Sequence, residues 1–414
     1  MHINRLSELK IIYISYDGMT DSLGQSQVLP YLTELSKEGC SFHIVSLEKE
    51  EKFKKLRSHI QDICDAAGIN WHPLPYQDKI PVFSAFSNFK SLKKKTLELQ
   101  RYNSFDIAHC RSDIPGLIGH YLQRNFDVKF LFDMRGFWAD ERVEGGIWNK
   151  SNPVFKFLYS YFKKKETVLF READAIVSLT EKGKEVISNM PDFKNEKLDI
   201  SVIPCCVDLY AFSSEAIISE QQSELRNSLG ISNETTVLGY LGSIGTWYML
   251  DEMLQFYAVQ RSKEQSSVFL FISGEKEQNI QEKAKKYGVP LNEVIVKSCL
   301  HNEVPLYISL FDYSIFFIRP TFSKSASSPT KQGELMAMKI PIVCNSGVGD
   351  TDLILDKYQA GSSLSELNKN AFSKWERKDM TFDPSNSRKG AEEWFSLEKG
   401  AKNYLSIYQR ILSK

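Results

Sequence analysis

Two runs of one alternation, short β-branched and aromatic stretches separated by helix-length segments, constrain this chain more than any other feature. In the first half the strand-like stretches are Lys10–Tyr16, Ser41–Leu47, Ile69–Pro73, Asp106–Cys110, Lys129–Met134, Ala175–Leu179 and Ile200–Pro204. Amphipathic segments such as Gln25–Lys37 and Phe155–Glu172 lie between them. Strands apolar on both faces, joined by helix-length crossovers, predict a parallel sheet covered on both sides. A polar stretch from about Asp208 to Glu234 breaks the rhythm. It restarts with Thr236–Gly242, Val268–Ser273, Val294–Lys297, Tyr313–Ile318 and Pro341–Cys344, alternating with helical Tyr248–Val259, Glu277–Tyr287, Glu303–Leu310 and Pro329–Met338. The expected fold is α/β: two Rossmann-like, doubly wound parallel-sheet domains, residues 1–207 and 208–389. A helical tail, residues 390–414, is expected to pack back on the first domain.

Totals narrow the partners. The chain has 414 residues, more than the roughly 250–300 at which one core stops growing. Its 52 basic residues balance 52 acidic ones, so it lacks the net basic field of a nucleic-acid-binding protein. Seven cysteines, scattered and without a CxxC pair, predict reduced thiols in a cytoplasmic protein. No window approaches the ~20 apolar residues of a membrane span. The basic runs Lys93–Lys95 and Lys163–Lys165 lie beside aromatics (Phe86, Phe89; Phe155, Phe157, Tyr159, Tyr161, Phe162), as a peripheral contact with the inner membrane surface or a solvated helix face would.

In open parallel sheets ligands bind beyond the carboxyl ends of the strands, so the loops after each strand hold the candidates. After the first strand, the polar loop Tyr16–Gln27 contains Gly24 and Gln25 at a helix start, where amides can hold an anion or a sugar hydroxyl. It is not GxGxxG, so a dinucleotide fingerprint is absent. His109 and Arg111 end another strand on the same rim. Asp133-Met134-Arg135-Gly136-Phe137-Trp138-Ala139-Asp140-Glu141-Arg142 mixes aromatics with both signs of charge. It suits a wall that binds a sugar face, or a salt-bridge knot under an aromatic lid.

In the second half Gly242-Ser243-Ile244-Gly245-Thr246-Trp247 is a turn whose amides can approach a phosphate. The most informative segment is Arg319–Glu334, which leaves one strand and enters a helix at Ser328-Pro329-Thr330-Lys331. There the Thr330 and Lys331 amides and the Lys331 ammonium meet an anion, and Glu334 can take both hydroxyls of a ribose. Asp350-Thr351-Asp352 looks like a metal-holding DxD, but its position makes it an expected helix cap.

These segments resemble the retaining GT-B glycosyltransferases of family 4, which build bacterial surface polysaccharides. The likeness runs through the Gly24 loop, Asp133–Trp138 and Gly242-Ser243, and is most specific in Ser328-Pro329-Thr330-Lys331-Gln332-Gly333-Glu334. It implies two domains facing a cleft, a UDP- or GDP-linked sugar donor, a carbohydrate or polyprenyl-linked acceptor, and no metal or other cofactor. Arg135, Lys331 and Glu334 would be catalytic; Gly245, Thr246, Arg319, Ser328 and Thr330 would join Lys331 and Glu334 on the donor. Gly24, Gln25, His109, Arg111, Asp133, Trp138, Asp140 and Glu141 would line the acceptor side. The pattern departs from the family's at three places. Ala326 stands where the first of two glutamates is expected, Ser243 and Tyr248 stand where an Arg and a Lys are expected, and Arg135 stands nearest to the expected His. A sugar-nucleotide 2-epimerase, or an inactive GT-B binding subunit, would share the same outline.

Overall fold

The computed structural model describes residues 9–78, 81–264 and 266–414. It divides into two units, Met1–Pro204 with Leu397–Lys414, and Cys205–Ser396. The division comes three residues before the expected position of 207. The tail also splits: the helix Pro384–Trp394 belongs to the second unit and only Leu397–Leu412 to the first. The reason is local, because Val207 donates its amide to the Phe395 carbonyl (2.7 Å) and so joins both ends of the second unit.

The first unit is built on β1 (Lys10–Ser15), β2 (Ser41–Glu48), β3 (Asn70–Pro75), β4 (Ile107–Arg111), β5 (Lys129–Asp133), β6 (Ala175–Ser178) and β7 (Ile200–Val202). They form one parallel sheet in the order β3-β2-β1-β4-β5-β6-β7. Every residue of β4 and β6 is buried, as strands covered on both faces require. The second unit adds β8 (Thr236–Leu241), β9 (Ser267–Ile272), β10 (Val294–Lys297), β11 (Tyr313–Phe316), β12 (Ile342–Asn345) and β13 (Gly361–Leu364), in the order β10-β9-β8-β11-β12-β13. A Cβ at Gly239 would lie 2.1 Å from the Phe311 ring, so β8 carries glycine where the neighbouring connection packs.

Strand order decides where chemistry can gather. Winding reverses between β1 and β4 in the first sheet and between β8 and β11 in the second. Crevices for ligands open at the carboxyl ends of such strand pairs. The Asp17–Gly24 loop and Arg111 share one reversal; the Gly242–Thr246 turn and the Arg319–Glu334 segment share the other.

Candidate functional site

At the β8/β11 reversal, the segment after β11 passes through a 3-10 turn, Phe322–Ala326, into the helix Thr330–Ala337. Among the described residues no side chain caps that helix start. Ser328 is engaged instead within the unit, its Oγ accepting from the Cys205 amide at 3.2 Å. Gly333 is small because a Cβ there would press on Val207 and Phe395 at 2.9 Å. That close packing sets the helix against the meeting ends of the unit and fixes the aim of its first turn.

Lys331 is buried, 6% exposed. Its Nζ donates to Tyr240 Oη (3.1 Å) and lies 4.2 Å from the Tyr240 ring centroid and 3.6 Å from that of Tyr248. Burial lowers its pKa well below the usual lysine value, with Glu334 acting in the opposite sense. Glu334 is nearly buried, and His301 Nε2 stands 3.6 Å from its Oε1. That carboxylate raises the imidazole's pKa. Gly242 has φ +104, a conformation suited to glycine, and a side chain there would come within 3.4 Å of Lys331 Nζ. Gly245 and Thr246 are exposed on a turn closed by the Tyr248 amide on the Gly245 carbonyl (3.2 Å). A Cβ at Gly245 would meet nothing within 4 Å. Arg319 is exposed, and its amide donates to the Trp247 carbonyl (2.9 Å).

Two residues here escaped the sequence reading. Lys324 is buried with its ammonium 3.9 Å from the Trp247 ring centroid. A charge inside the loop after β11 was a usable signal. His301 gave none, since nothing in its own stretch points to Glu334. Asp352 accepts from the Gly347 amide through Oδ2 (3.2 Å) and so closes the turn before its helix, while Asp350 at the cap position makes no side-chain cap bond.

The first unit corrects several expectations. Glu48, at the end of β2, accepts from the Met19 amide (2.8 Å), the Thr20 amide (3.0 Å), Thr20 Oγ1 (2.6 Å) and Ser46 Oγ (2.6 Å). The Met19 and Thr20 amides are thus consumed by a protein carboxylate. Gly24 is a packing glycine: its Cβ would strike the Gly18 carbonyl oxygen at 2.3 Å. Gln25 folds back on the Thr20 carbonyl (3.1 Å).

His109 is not a rim residue. It is 2% exposed, its Nδ1 is 2.7 Å from Tyr408 Oη, and its Nε2 is 3.5 Å from Asp133 Oδ2. Burial lowers its pKa despite Asp133. Tyr404 donates to Asp133 Oδ2 (3.2 Å), and Arg135 Nη1 lies 3.6 Å from Oδ1. Burial would raise the pKa of Asp133, but Arg135, His109 and Arg111 outweigh it and hold it at about 2. Arg135 itself has φ +56, strained for an arginine. Arg111 is buried with Nε 3.4 Å from Asp17 Oδ2.

Asp140 is also tied within the unit, accepting from Tyr159 Oη and Lys163 Nζ, each at 2.8 Å. Lys163 further pairs with buried Glu166, so that member of the second basic run faces inward. Trp138 packs edge-on against Trp148 (5.3 Å between centroids) and tilted against Phe162 (4.8 Å), with the Arg142 guanidinium 4.9 Å from its ring. Glu141 Oε1 would lie 3.4 Å from a Cβ at Gly136. Of the residues assigned to the acceptor side, His109, Asp133 and Arg111 share one buried network with Arg135. Asp140 joins another with Tyr159 and Lys163, and Trp138 sits in an aromatic cluster.

Comparison with solved structures decides the architecture. A glycosyltransferase from Rickettsia africae superposes with a TM-score of 0.70 at 15% identity, covering 98% of this chain and 99% of that one. An Anabaena protein solved with UDP and glucose gives 0.67 at 11% identity, over 96% and 98%. The chain has the GT-B glycosyltransferase fold. No family model matches it. An alpha-monoglucosyldiacylglycerol synthase from Streptococcus pneumoniae is 24% identical over 272 residues, 64% of this chain and 57% of that protein. The match therefore spans little more than half of that curated relative. Within this GT-B chain, Ala326 is fully buried and presents no carboxylate, while Lys324 in the turn after β11 and Lys331 in the helix that follows are buried cationic side chains.

Proposed function

We propose that this chain is a retaining glycosyltransferase that moves a sugar from a UDP- or GDP-linked donor to a hydroxyl of a carbohydrate or polyprenyl-linked acceptor in bacterial surface polysaccharide synthesis. The observation that carries this reading is the meeting of Lys331 and Glu334, less than one turn apart, beside the Gly242–Thr246 turn at the β8/β11 reversal. The Glu334 carboxylate takes the ribose hydroxyls. Negative charge builds on the leaving phosphate as the anomeric C–O bond breaks, and preorganised donors stabilise it by roughly 3–4 kcal/mol each. Lys331 Nζ and the amides of Gly245, Thr330 and Lys331 are the donors, and Arg135 is the catalytic cation of the first unit.

A thermal-shift series with UDP, GDP and their sugar conjugates tests the donor site. One nucleoside diphosphate should raise the melting temperature of the wild type and not of Glu334→Ala; no shift with any of them defeats the reading. Donor turnover without an acceptor would indicate the epimerase, and binding without turnover across acceptors the inactive subunit.

A lipid-bearing acceptor fits a relative named as a glycolipid synthase, and it asks for membrane contact. Among the described residues no helix is long and apolar enough to cross a membrane. The helix Pro81–Asn103 exposes Phe83 and Phe86, and a surface groove on it joins Phe86, Phe89 and Leu97 to Lys90, Lys93, Lys94 and Arg101, with one acid, Glu98, that pairs with Lys95. Such a face binds anionic bilayers. In vesicle co-sedimentation, the protein should partition to phosphatidylglycerol over phosphatidylcholine, less so at high salt, and Lys90→Glu with Lys94→Glu should abolish the preference. Equal partition to both vesicles would refute the contact.

A further inference from the structure

We propose that Tyr240 and Tyr248 form an aromatic cage that positions Lys331 for the donor's diphosphate, so that the buried ammonium rests on ring faces until the phosphates arrive. This rests on the reading of Lys331 as the diphosphate cation. A buried ammonium needs compensation for its lost water, and a carboxylate is the usual source. Here the hydrogen bond and the closest ring contacts come from tyrosines. The two rings stand nearly perpendicular, at 83°, with centroids 6.0 Å apart, and Phe316 is a third wall at 6.0 Å from Nζ. A desolvated cation over such faces gains attraction from both.

The hydrogen bonds also have a fixed direction. Tyr240 Oη donates its one proton to the Ser243 carbonyl (2.7 Å), so it can only accept from Lys331. The ammonium spends one N–H on the cage and keeps two. Tyr240 thereby ties the phosphate-facing turn to the cation that serves it. Gly242 brings the backbone over Nζ without a side chain between them.

The ionisable groups around the cage are few. Tyr240 comes from β8 and feels Glu275; Tyr248 follows β8 and feels Cys205 and Glu334; Glu334 shares the helix of Lys331 and faces His301. Burial raises the pKa of both tyrosines, so they stay protonated where Lys331 titrates. Nucleotide affinity should therefore fall as pH rises through the lowered lysine pKa, and removing a ring should move that fall to lower pH.

Isothermal titration of the full chain with UDP and GDP, from about pH 6 to about pH 9, in buffers of different ionisation enthalpy, tests this. The nucleotide that binds should draw up to one proton from solution on the alkaline side. Tyr248→Leu should weaken it roughly ten-fold and shift the profile to lower pH, and Tyr248→Phe, which keeps the ring, should weaken it less. Tyr240→Phe should cost roughly five-fold by losing the link to Ser243. Profiles unmoved in all three variants, with binding still weakened in Lys331→Met, would overturn the cage and leave the lysine's role standing. A wild type that binds neither nucleotide would sink the donor reading itself, and the cage with it.

Discussion

Lys331→Met is expected to lower kcat by roughly two to three orders of magnitude, the cost of removing one charge-stabilising donor from a preorganised site. The same variant is expected to be at least as stable as the wild type. Burial depresses the lysine's folded pKa below its unfolded value, so at neutral pH the unfolded chain holds that proton more readily than the folded one. The sign is that of a group that costs stability, most of all below its folded pKa, and methionine of similar length removes the cost. Loss of turnover with a level or raised melting temperature would separate function from folding, which a merely structural lysine could not do. Lys331→Arg restores charge but not fit, since ring centroids at 3.6 and 4.2 Å leave little room for a planar guanidinium. It should recover only part of the rate. Release of UDP or GDP from the sugar donor, followed at saturating donor, is the measurement; turnover of Lys331→Met within about three-fold of wild type would remove the lysine from the proposed chemistry.

The sequence displayed the layered architecture because alternation over many elements averages out local error. The strand it did not display, β13, reads Gly361-Ser362-Ser363-Leu364 and has no apolar run. Gly361 at φ +149 is required there because a Cβ would sit 1.9 Å from the Ile342 carbonyl oxygen. Lys331 and Glu334 were legible because they lie three residues apart at a recognisable helix start. Their surroundings were not. Tyr240 reads as an ordinary core residue of β8, and only the β8–β11 pairing brings it under a lysine 91 positions away. Glu48 is similarly silent in sequence, being nearly 30 residues from the amides it holds. His109 was placed on the rim because it is near the end of β4. Its ring instead meets Tyr408, from a helix 299 positions later in the chain.

That distant helix makes Asp133→Asn the second large effect. Asp133 is 1% exposed and stands among Arg135, His109 and Tyr404, with Arg111 also acting on it. An amide keeps the shape but not the charge, leaving two buried guanidinium groups without that anion. Breaking such a cluster costs about 3 kcal/mol or more. Its pKa supports the scale: from the ordinary 3.8 to about 2 is worth about 2 kcal/mol. A depressed carboxyl contributes stability that is complete above its unfolded pKa and is lost as pH falls through the folded one. The gap between wild type and Asp133→Asn in denaturant titrations should therefore be constant down to about pH 5 and narrow below about pH 4. Arg135 adds a functional consequence, because an arginine held at φ +56 keeps that strained backbone only while its surroundings fix it. With the Asp133 charge gone the loop is expected to relax, and turnover should fall further than donor affinity, since the proposed nucleotide site lies in the second unit. Equal stability of the two proteins at neutral pH would show that the cluster carries no net weight and that Arg135 is held by other contacts.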